Sequence, residues 1–404
     1  MNLKQSLISS VLALTLTGCI SEFDAKLPLN ESHILVVSGT VIENTDVTFH
    51  LSKGFPLDSV KTPKGSRDID AKLTIIGSNG YQSQQAINMG NGEYLISAGA
   101  LNDDVEYGIE IEYDGNIYRS TLSKPLRTPE IDSISFVQPE ENGDIIFYIS
   151  THDDAEETKY FLWNYTEDWE FTAIYETTVF FDPEKEDYYI DRSAPFYHCW
   201  RNKVDAAGKY LIGSTEFLGE NRIINRELYK ASSGDERFSV LYCVTVYQKA
   251  ISKEAYEYYQ NRIKLNQEMG GLFTPQPSEV QGNISCITDP AKRVMGYVEV
   301  IKNTTQERLF ICNGQITRQP AERSCGSRDV ETKDLDKFYV MEGTYAYTSL
   351  AALYNAGMRP SGYLLLSEKG NYYPSGGWRH KSCSDCTAAG GTKNKPEFWK
   401  QCPE

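Results

Sequence analysis

The residues best placed to do chemistry lie near the end of the chain, where His380, Cys383 and Cys386 recur at every third position and Cys402 follows. One imidazole and three thiolates are a set that tetrahedral zinc accepts. In an oxidising compartment, however, cysteines pair and free thiolates do not persist. A C-x-x-C pair is also typical of redox proteins, but no thioredoxin-like βαβ pattern surrounds this one. The glycine and serine neighbours favour disulfides, and we predict neither a metal nor a cofactor.

The nine cysteines are distributed unevenly along the chain. Only Cys19 precedes residue 198. The even number that remains predicts up to four disulfides in an exported chain, and we expect all four to form. The candidates are Cys199, Cys243, Cys286, Cys312, Cys325, Cys383, Cys386 and Cys402. Because the first half of the chain has no cross-links, we expect at least two structural units.

Cys19 stands at the end of a short apolar segment. Residues 1–5 are polar and contain Lys4, and residues 7–16 are apolar or hydroxylic. That run is shorter than the ~20 residues of a membrane-spanning helix and is typical of an export signal. The sequence of residues 16–19, Leu-Thr-Gly-Cys, resembles the bacterial lipobox, in which the chain is cut before the cysteine and the cysteine is acylated.

We therefore predict a lipoprotein signal peptide over residues 1–18, lipidation of Cys19 and a lipidated tether over residues 19–32. Several acyl chains anchor a protein stably to a membrane. Ile20 is not the aspartate that commonly retains lipoproteins in the inner membrane, so we expect an outer-membrane location. Glu22 and Asp24 resemble the acidic export signal by which Bacteroidetes lipoproteins reach the cell surface, so we expect the protein to face outward.

Composition argues against a nucleic-acid partner. The chain has 40 Lys and Arg against 56 Asp and Glu, a net charge of −16. Nucleic-acid binding needs basic side chains that neutralise phosphates, so we exclude that class.

The pattern along the chain is that of a mainly β protein. Apolar residues occupy every odd position of residues 105–113, as expected for a strand with one buried face. Short strands and frequent turns over residues 33–128 predict an immunoglobulin-like or prealbumin-like β-sandwich. We expect residues 129–404 to form a larger β-rich domain with disulfides, one amphipathic helix over residues 253–269 and a disulfide-rich C-terminal tail.

Aromatic residues are frequent, with 27 tyrosines. Several fall between residues 151 and 210, where we expect long loops. Tyrosine and tryptophan suit binding surfaces, because each has an apolar face and a polar group, although they are equally suited to packing within strands. The candidate binding residues are Trp163, Tyr165, Trp169, Tyr189, Tyr197 and Trp200.

Enzyme signals are lacking in the sequence. It contains no G-x-S-x-G, H-E-x-x-H or G-x-x-x-x-G-K-[ST] motif, and its five histidines are scattered. We therefore predict a non-enzymatic protein with no catalytic residues.

A family resemblance emerges from short stretches taken in order. These are residues 35–39, 91–94, 113–118, 254–258, 275–278, 282–284, 383–386 and 396–399. Together with the lipobox they resemble a Bacteroidetes outer-membrane lipoprotein family known only as domain of unknown function 4249. Members of that family are typically encoded beside TonB-dependent transporters. The resemblance implies an accessory partner of such a β-barrel, one that captures its cargo and acts as a lid. The alternative is a structural subunit of an outer-membrane assembly or secretion complex, and the sequence does not identify the cargo.

Overall fold

A computed structural model describes residues 34–54, 67, 69–204, 210–268, 281–319, 325, 338–339, 346–347, 350–366 and 372–402. The predicted signal peptide, Cys19 and the tether lie outside the described residues.

The described chain is mainly β, as predicted. Its strands in order are β1 (Ile34–Ile42), β2 (Asp46–Gly54), β3 (Ala71–Gly77), β4 (Ile87–Gly90), β5 (Glu93–Ser97), β6 (Tyr107–Tyr113), β7 (Asn116–Ser120), β8 (Ile131–Val137), β9 (Asp144–His152), β10 (Tyr160–Thr172), β11 (Val179–Asp182), β12 (Asp187–Ile190), β13 (His198–Val204), β14 (Leu211–Ser214), β15 (Arg222–Ser232), β16 (Leu241–Ala250), β17 (Ile284–Cys286), β18 (Val294–Met295), β19 (Val298–Ile301), β20 (Thr305–Cys312), β21 (Phe338–Tyr339), β22 (Ala346–Tyr347), β23 (Met358–Pro360), β24 (Leu364–Leu366), β25 (Tyr372–Pro374) and β26 (Trp378–His380). The helices are α1 (Lys253–Glu268) and α2 (Leu350–Asn355).

Two sheets form the first domain around one hydrophobic core. One sheet has the order β18-β1-β2-β5-β4 with β19 also on β1, and the other has the order β17-β7-β6-β3. The alternation predicted for residues 105–113 is observed, since Ile109 and Ile111 of β6 are fully buried. Phe49 and Tyr94 fill the space between the sheets. The arrangement places one face of each sheet on the core and the other in solvent.

The predicted domain boundary is wrong, because residues 284–301 return to the first domain. After α1 the chain supplies β17, which pairs with β7, and β18 and β19, which both pair in parallel with β1. A parallel partner must come from a long crossover connection, so it does not appear as a neighbouring strand in the sequence. Val298 and Val300 of β19 are 1% exposed, and they complete the core that residues 33–128 leave open.

The second domain is built from a five-stranded and a three-stranded sheet. The first has the order β13-β10-β16-β20 with β14 also on β10, and the second has the order β15-β9-β8. Phe147 and Ile149 of β9 share a core with Phe161 and Trp163 of β10. Strand β10 is central and has thirteen residues, so its side chains alternate across a sheet with partners on both sides.

Helix α1 begins and ends close to the predicted positions. The Ser252 hydroxyl accepts a hydrogen bond from the Ala255 amide at 3.1 Å, which satisfies one of the free amides of the first turn. Ala255 is fully buried and packs with Leu162 and Ile212 of the second domain. A further helix, α2, was not predicted; it has only six residues.

Three disulfides join the C-terminal region to the rest of the chain: Cys199–Cys386, Cys312–Cys402 and Cys325–Cys383. Cys383 and Cys386 are oxidised as predicted, but each pairs with a distant cysteine.

The prediction of four disulfides is wrong, because Cys243 and Cys286 are free and buried. Cys286 lies in the core of the sandwich, and Cys243 packs beside Trp399 in a separate cluster of the second domain. They therefore cannot meet. Burial raises the pKa of the Cys243 thiol to about 12 and keeps it protonated.

Candidate functional site

The tryptophans and tyrosine predicted to lie in loops before residue 170 are core residues instead. Trp163 is 1% exposed, Tyr165 7% and Trp169 6%. All three belong to β10, so the expectation of long loops over this part of the chain is wrong. The Trp163 indole donates to Gln248 Oε1 at 2.7 Å on the neighbouring strand β16. These side chains stabilise the domain and offer no surface to a partner.

Two of the remaining candidates are half-buried. Tyr197 packs against the second-domain core and its ring lies 4.9 Å from that of His198. Trp200 lies on β13, where its backbone exchanges hydrogen bonds of 2.9 and 2.8 Å with Thr392 of the C-terminal region. The region that the disulfides attach to the sheet therefore pairs with the strand that carries Trp200.

Tyr189 is the candidate that the structure leaves exposed, at 51%. It lies on β12, which forms a two-stranded hairpin with β11. Along this hairpin Phe181 and Tyr188 face inward onto Trp378, while Phe180 and Tyr189 lie on the opposite face with their ring centroids 5.5 Å apart. The alternation of strand side chains thus divides the aromatic residues between a core and a surface.

A second hairpin, β24–β25, lies beside the first. The Thr178 amide donates to the Gly362 carbonyl at 3.0 Å, and this contact joins the start of one hairpin to the start of the other. We call the exposed apolar side chains of this region the aromatic surface. Its members are Tyr189, Phe196, Tyr363, Leu366 and Tyr372, together with the half-buried Phe180, whose ring lies 5.5 Å from that of Tyr189 and 5.9 Å from that of Phe196.

A small cavity of about 210 Å³ opens within the aromatic surface. Phe180, Tyr189 and Phe196 form its apolar wall, and Arg359 and Asp385 supply charged groups at its edge. A cavity of this size has room for about one side chain and is smaller than the ~300–1,000 Å³ of sites for drug-sized ligands.

The support beneath the aromatic surface is rigid. Trp378 is fully buried, and its indole donates to the Tyr188 hydroxyl at 3.1 Å. Burial raises the pKa of Tyr188 to about 12. The backbone of Tyr175 donates to the carbonyl of Cys383, one half of a disulfide, at 2.9 Å. Little side-chain entropy remains to be lost there when a partner binds.

The zinc set considered from the sequence is not available. Cys383, Cys386 and Cys402 are all in disulfides, and His380 Nδ1 lies 2.7 Å from Ser382 Oγ. Across the described ranges, no group of three or more His, Cys, Asp or Glu residues converges closely enough to hold a metal ion. No helix in the part of the chain that the structure describes has the length and apolarity needed to span a membrane.

Sequence reasoning missed Phe180, Phe196, Tyr363 and Leu366. The residues Val-Phe-Phe at 179–181 carry the relevant signal, since one of two adjacent aromatic residues in a strand must point away from the core. The proximity of the β24–β25 hairpin could not be inferred, because the contact joins residues more than 180 positions apart.

A model of the protein family described as domain of unknown function (DUF4249) matches residues 20–307. The chain belongs to this family. The match covers the whole sandwich, including the strands that return after α1, and it ends within β20. The C-terminal disulfide region lies beyond it. The match confirms the family inferred from the sequence but not its lipid anchor or its transporter partner, and it names no function.

No curated protein matches this DUF4249 member. Among solved structures, trypsin-activated alpha-2-macroglobulin from Escherichia coli aligns at 10% identity over 56% of this chain with a TM-score of 0.16, and the chain spans only 15% of that protein. The collagen adhesin from S. aureus aligns at 11% identity over 69% of this chain and 96% of its own, with a TM-score of 0.13. Both scores are too low to indicate a shared fold.

Proposed function

We propose that this protein is a non-enzymatic outer-membrane lipoprotein that binds a TonB-dependent β-barrel transporter through the aromatic surface and helps it to capture cargo. The observation that carries the proposal is the position of the exposed aromatic residues. They lie on two neighbouring hairpins and on the segment that follows the first, and Phe180, Tyr189 and Phe196 line a small cavity. Exposed apolar patches with a polar rim are typical of protein interaction sites.

The chemistry of the aromatic surface fits a protein partner. Tyr189, Tyr363 and Tyr372 are 51%, 61% and 54% exposed, and tyrosine is enriched where binding energy concentrates. The charged groups Arg359 and Asp385 at the cavity give such an interface polar contacts at its edge. Each tyrosine has only two side-chain torsions to fix, so ordering it against a partner costs little conformational entropy.

The predicted anchor complements this surface. Lipidation of Cys19 holds the protein at the membrane, and a tether of residues 19–32 reaches roughly 45 Å at ~3.3 Å per residue. Binding to a partner in the same membrane then takes place at a high effective concentration, so that modest intrinsic affinity suffices. A tethered domain of this kind can swing across the mouth of a transporter as a lid.

Lipidation is tested by growing cells with a clickable fatty acid. The wild-type protein should be labelled and should fractionate with the outer membrane. Cys19→Ser should abolish both properties, because the acylated thiol is removed. Continued labelling of the serine variant in the membrane fraction would show that the lipobox interpretation is wrong.

Partner binding is tested by gentle solubilisation and affinity purification of a tagged copy. A large β-barrel transporter should co-purify with the wild type and be depleted by Tyr189→Ala combined with Leu366→Ala. Ile87→Ala is the matched control, since Ile87 is 62% exposed on β4 of the sandwich, away from the aromatic surface. Recovery of barrel-assembly or secretion factors in place of a transporter would support the structural-subunit alternative and refute the proposal.

A further inference from the structure

A large cleft separates helix α1 from the sandwich. Its volume is about 930 Å³. One wall comes from α1, and the other comes from β19 with Tyr297, from Glu106 just before β6, and from residues 121–123 and 281–283. Ligand sites commonly form between domains, with volumes of ~300–1,000 Å³. The residues that matter for its chemistry are Glu106, Glu254, Glu257, Tyr258, Tyr297 and Glu299.

At the base of the cleft is a carboxyl group with one oxygen unused. Glu299 is 4% exposed. Its Oε1 accepts two hydrogen bonds from Ser252, one from the amide at 3.2 Å and one from the hydroxyl at 2.8 Å. No other group that the structure describes donates a hydrogen bond to this carboxyl, so Oε2 has no donor within the protein's described residues. Oε2 is not fully buried, so it is accessible from the cleft and open to a donor that a ligand supplies there.

The neighbours of Glu299 hold it in place without filling that position. The Ser252 hydroxyl that donates to Glu299 lies 3.2 Å from the Tyr297 hydroxyl and also caps α1. The nearby Lys249 ammonium group donates to Thr40 Oγ1 at 3.3 Å, and its charge favours the ionised form of Glu299 from the side of the sheet. The carboxylate is therefore fixed in orientation and partly compensated in charge.

The charge of the cleft selects a cation. Glu106, Glu254, Glu257 and Glu299 line it, against Lys264 as the one basic lining residue. These carboxylates do not form a metal site, because no three acidic residues in the described ranges converge on one point. A cation that reaches several of them must be extended and organic. Arg262 already lies over the Tyr258 ring, but the ring of Tyr297, 5.2 Å from it, adds a face to which ammonium and guanidinium groups are attracted.

We propose that this cleft binds an organic cation with an amine or guanidinium group, which donates a hydrogen bond to Glu299 Oε2 while the outer glutamates hold a second positive charge. The site rests on the geometry of the cleft itself. That the bound cation is cargo for a transporter rests on the proposed function.

Isothermal titration of the soluble chain that begins after Cys19 tests the site, with 1,4-diaminobutane and agmatine as probes. Both should bind saturably at the millimolar level expected for a small ligand, and 1,4-butanediol, which has the same length and no charge, should not. Glu299→Gln should weaken binding by about tenfold, the loss expected when one charged contact is removed. Glu227→Gln, which removes an exposed carboxylate on β15, is the matched control and should bind as the wild type does.

The pH dependence gives a second measurement. Burial, with a smaller contribution from Glu254, raises the pKa of Glu299 to about 7 against the opposing effects of the Ser252 hydrogen bonds and Lys249. Tyr259 and Tyr297 also face this group, and their own pKa values are raised by burial, so they remain neutral. Affinity for the diamine should therefore increase as the pH rises through about 7.

Lack of saturable diamine binding, or equal binding by the wild type and Glu299→Gln, would overturn the inference. If circular dichroism shows that Glu299→Gln does not fold, a second variant combines Glu254→Gln with Glu257→Gln. This variant removes two exposed carboxylates from the helix side of the cleft and should weaken diamine binding several-fold. Unchanged affinity in this variant would also overturn the inference. Co-purification of a transporter depends on the aromatic surface, so its result is independent of this one.

Discussion

The returning strands β17–β19 make a strong prediction: residues 34–128 alone should not fold. Removing β17–β19 deletes Ile284, Val298, Val300 and Ile301, each at most 6% exposed. Burying one Val or Ile side chain contributes about 1.5–3 kcal/mol, so the four contribute about 6–12 kcal/mol. This is an upper bound, because an unfolded chain already buries some apolar surface. A whole domain is stable by only about 5–15 kcal/mol.

The assay compares three proteins by far-UV circular dichroism and urea denaturation. Residues 34–128 contain no cysteine, but residues 281–302 contain the free Cys286, so all three proteins are compared with reductant present. That fragment alone should be unfolded. The same fragment joined by a Gly-Ser linker to residues 281–302 should show a cooperative transition, because β1 and β7 regain their partners. A fused version with Val298→Asp and Val300→Asp should be unfolded again. The reasoning would be refuted if residues 34–128 alone unfolded cooperatively and were as stable as the fused protein.

Three further predictions concern burial. Alkylation without reductant of the soluble chain that begins after Cys19 should label two thiols, Cys243 and Cys286, and only after the protein is unfolded, since both are buried. Labelling of no thiol, or of four thiols, would contradict the observed disulfide pairing. Trp163→Ala should lower the free energy of unfolding by about 3–5 kcal/mol and Tyr189→Ala by less than about 0.5 kcal/mol in urea, because one is core and the other surface. Glu299 binds a proton more tightly when folded, with its pKa raised from 4.5 to about 7, so stability relative to Glu299→Gln should fall as pH rises across that interval. The stability lost across that interval is about 3 kcal/mol, at 1.36 kcal/mol per pH unit. A stability difference between the two proteins that does not change with pH would contradict this prediction.

Local patterns were sufficient for much of the fold. The alternation of residues 105–113 placed β6, and Ser252 with the apolar spacing after it placed α1 to within one residue of its observed end. These signals can be recognised because they depend on neighbours in the sequence. One face of the strand must be buried, and the start of a helix needs an acceptor for its free amides.

Non-local pairing was not readable. The parallel contact between β1 and β19 joins residues some 260 positions apart, for example Gly39 with Val298. The same limit explains the candidate site. Trp163, Tyr165 and Trp169 are buried because β10 has strands on both sides, which an aromatic-rich segment does not reveal by itself. Free cysteines in separate cores also look the same as paired ones in a sequence.

Site-specific photo-crosslinking in cells tests the central claim, that the aromatic surface binds a transporter, most directly. A photoreactive phenylalanine derivative would replace Tyr189 on the aromatic surface, and Ile87 on the sandwich as the matched control; both positions are more than half exposed. Our account predicts a crosslink from position 189 to a large TonB-dependent β-barrel and none from position 87. Crosslinks from position 87 alone, or from position 189 only to barrel-assembly or secretion factors, would contradict it.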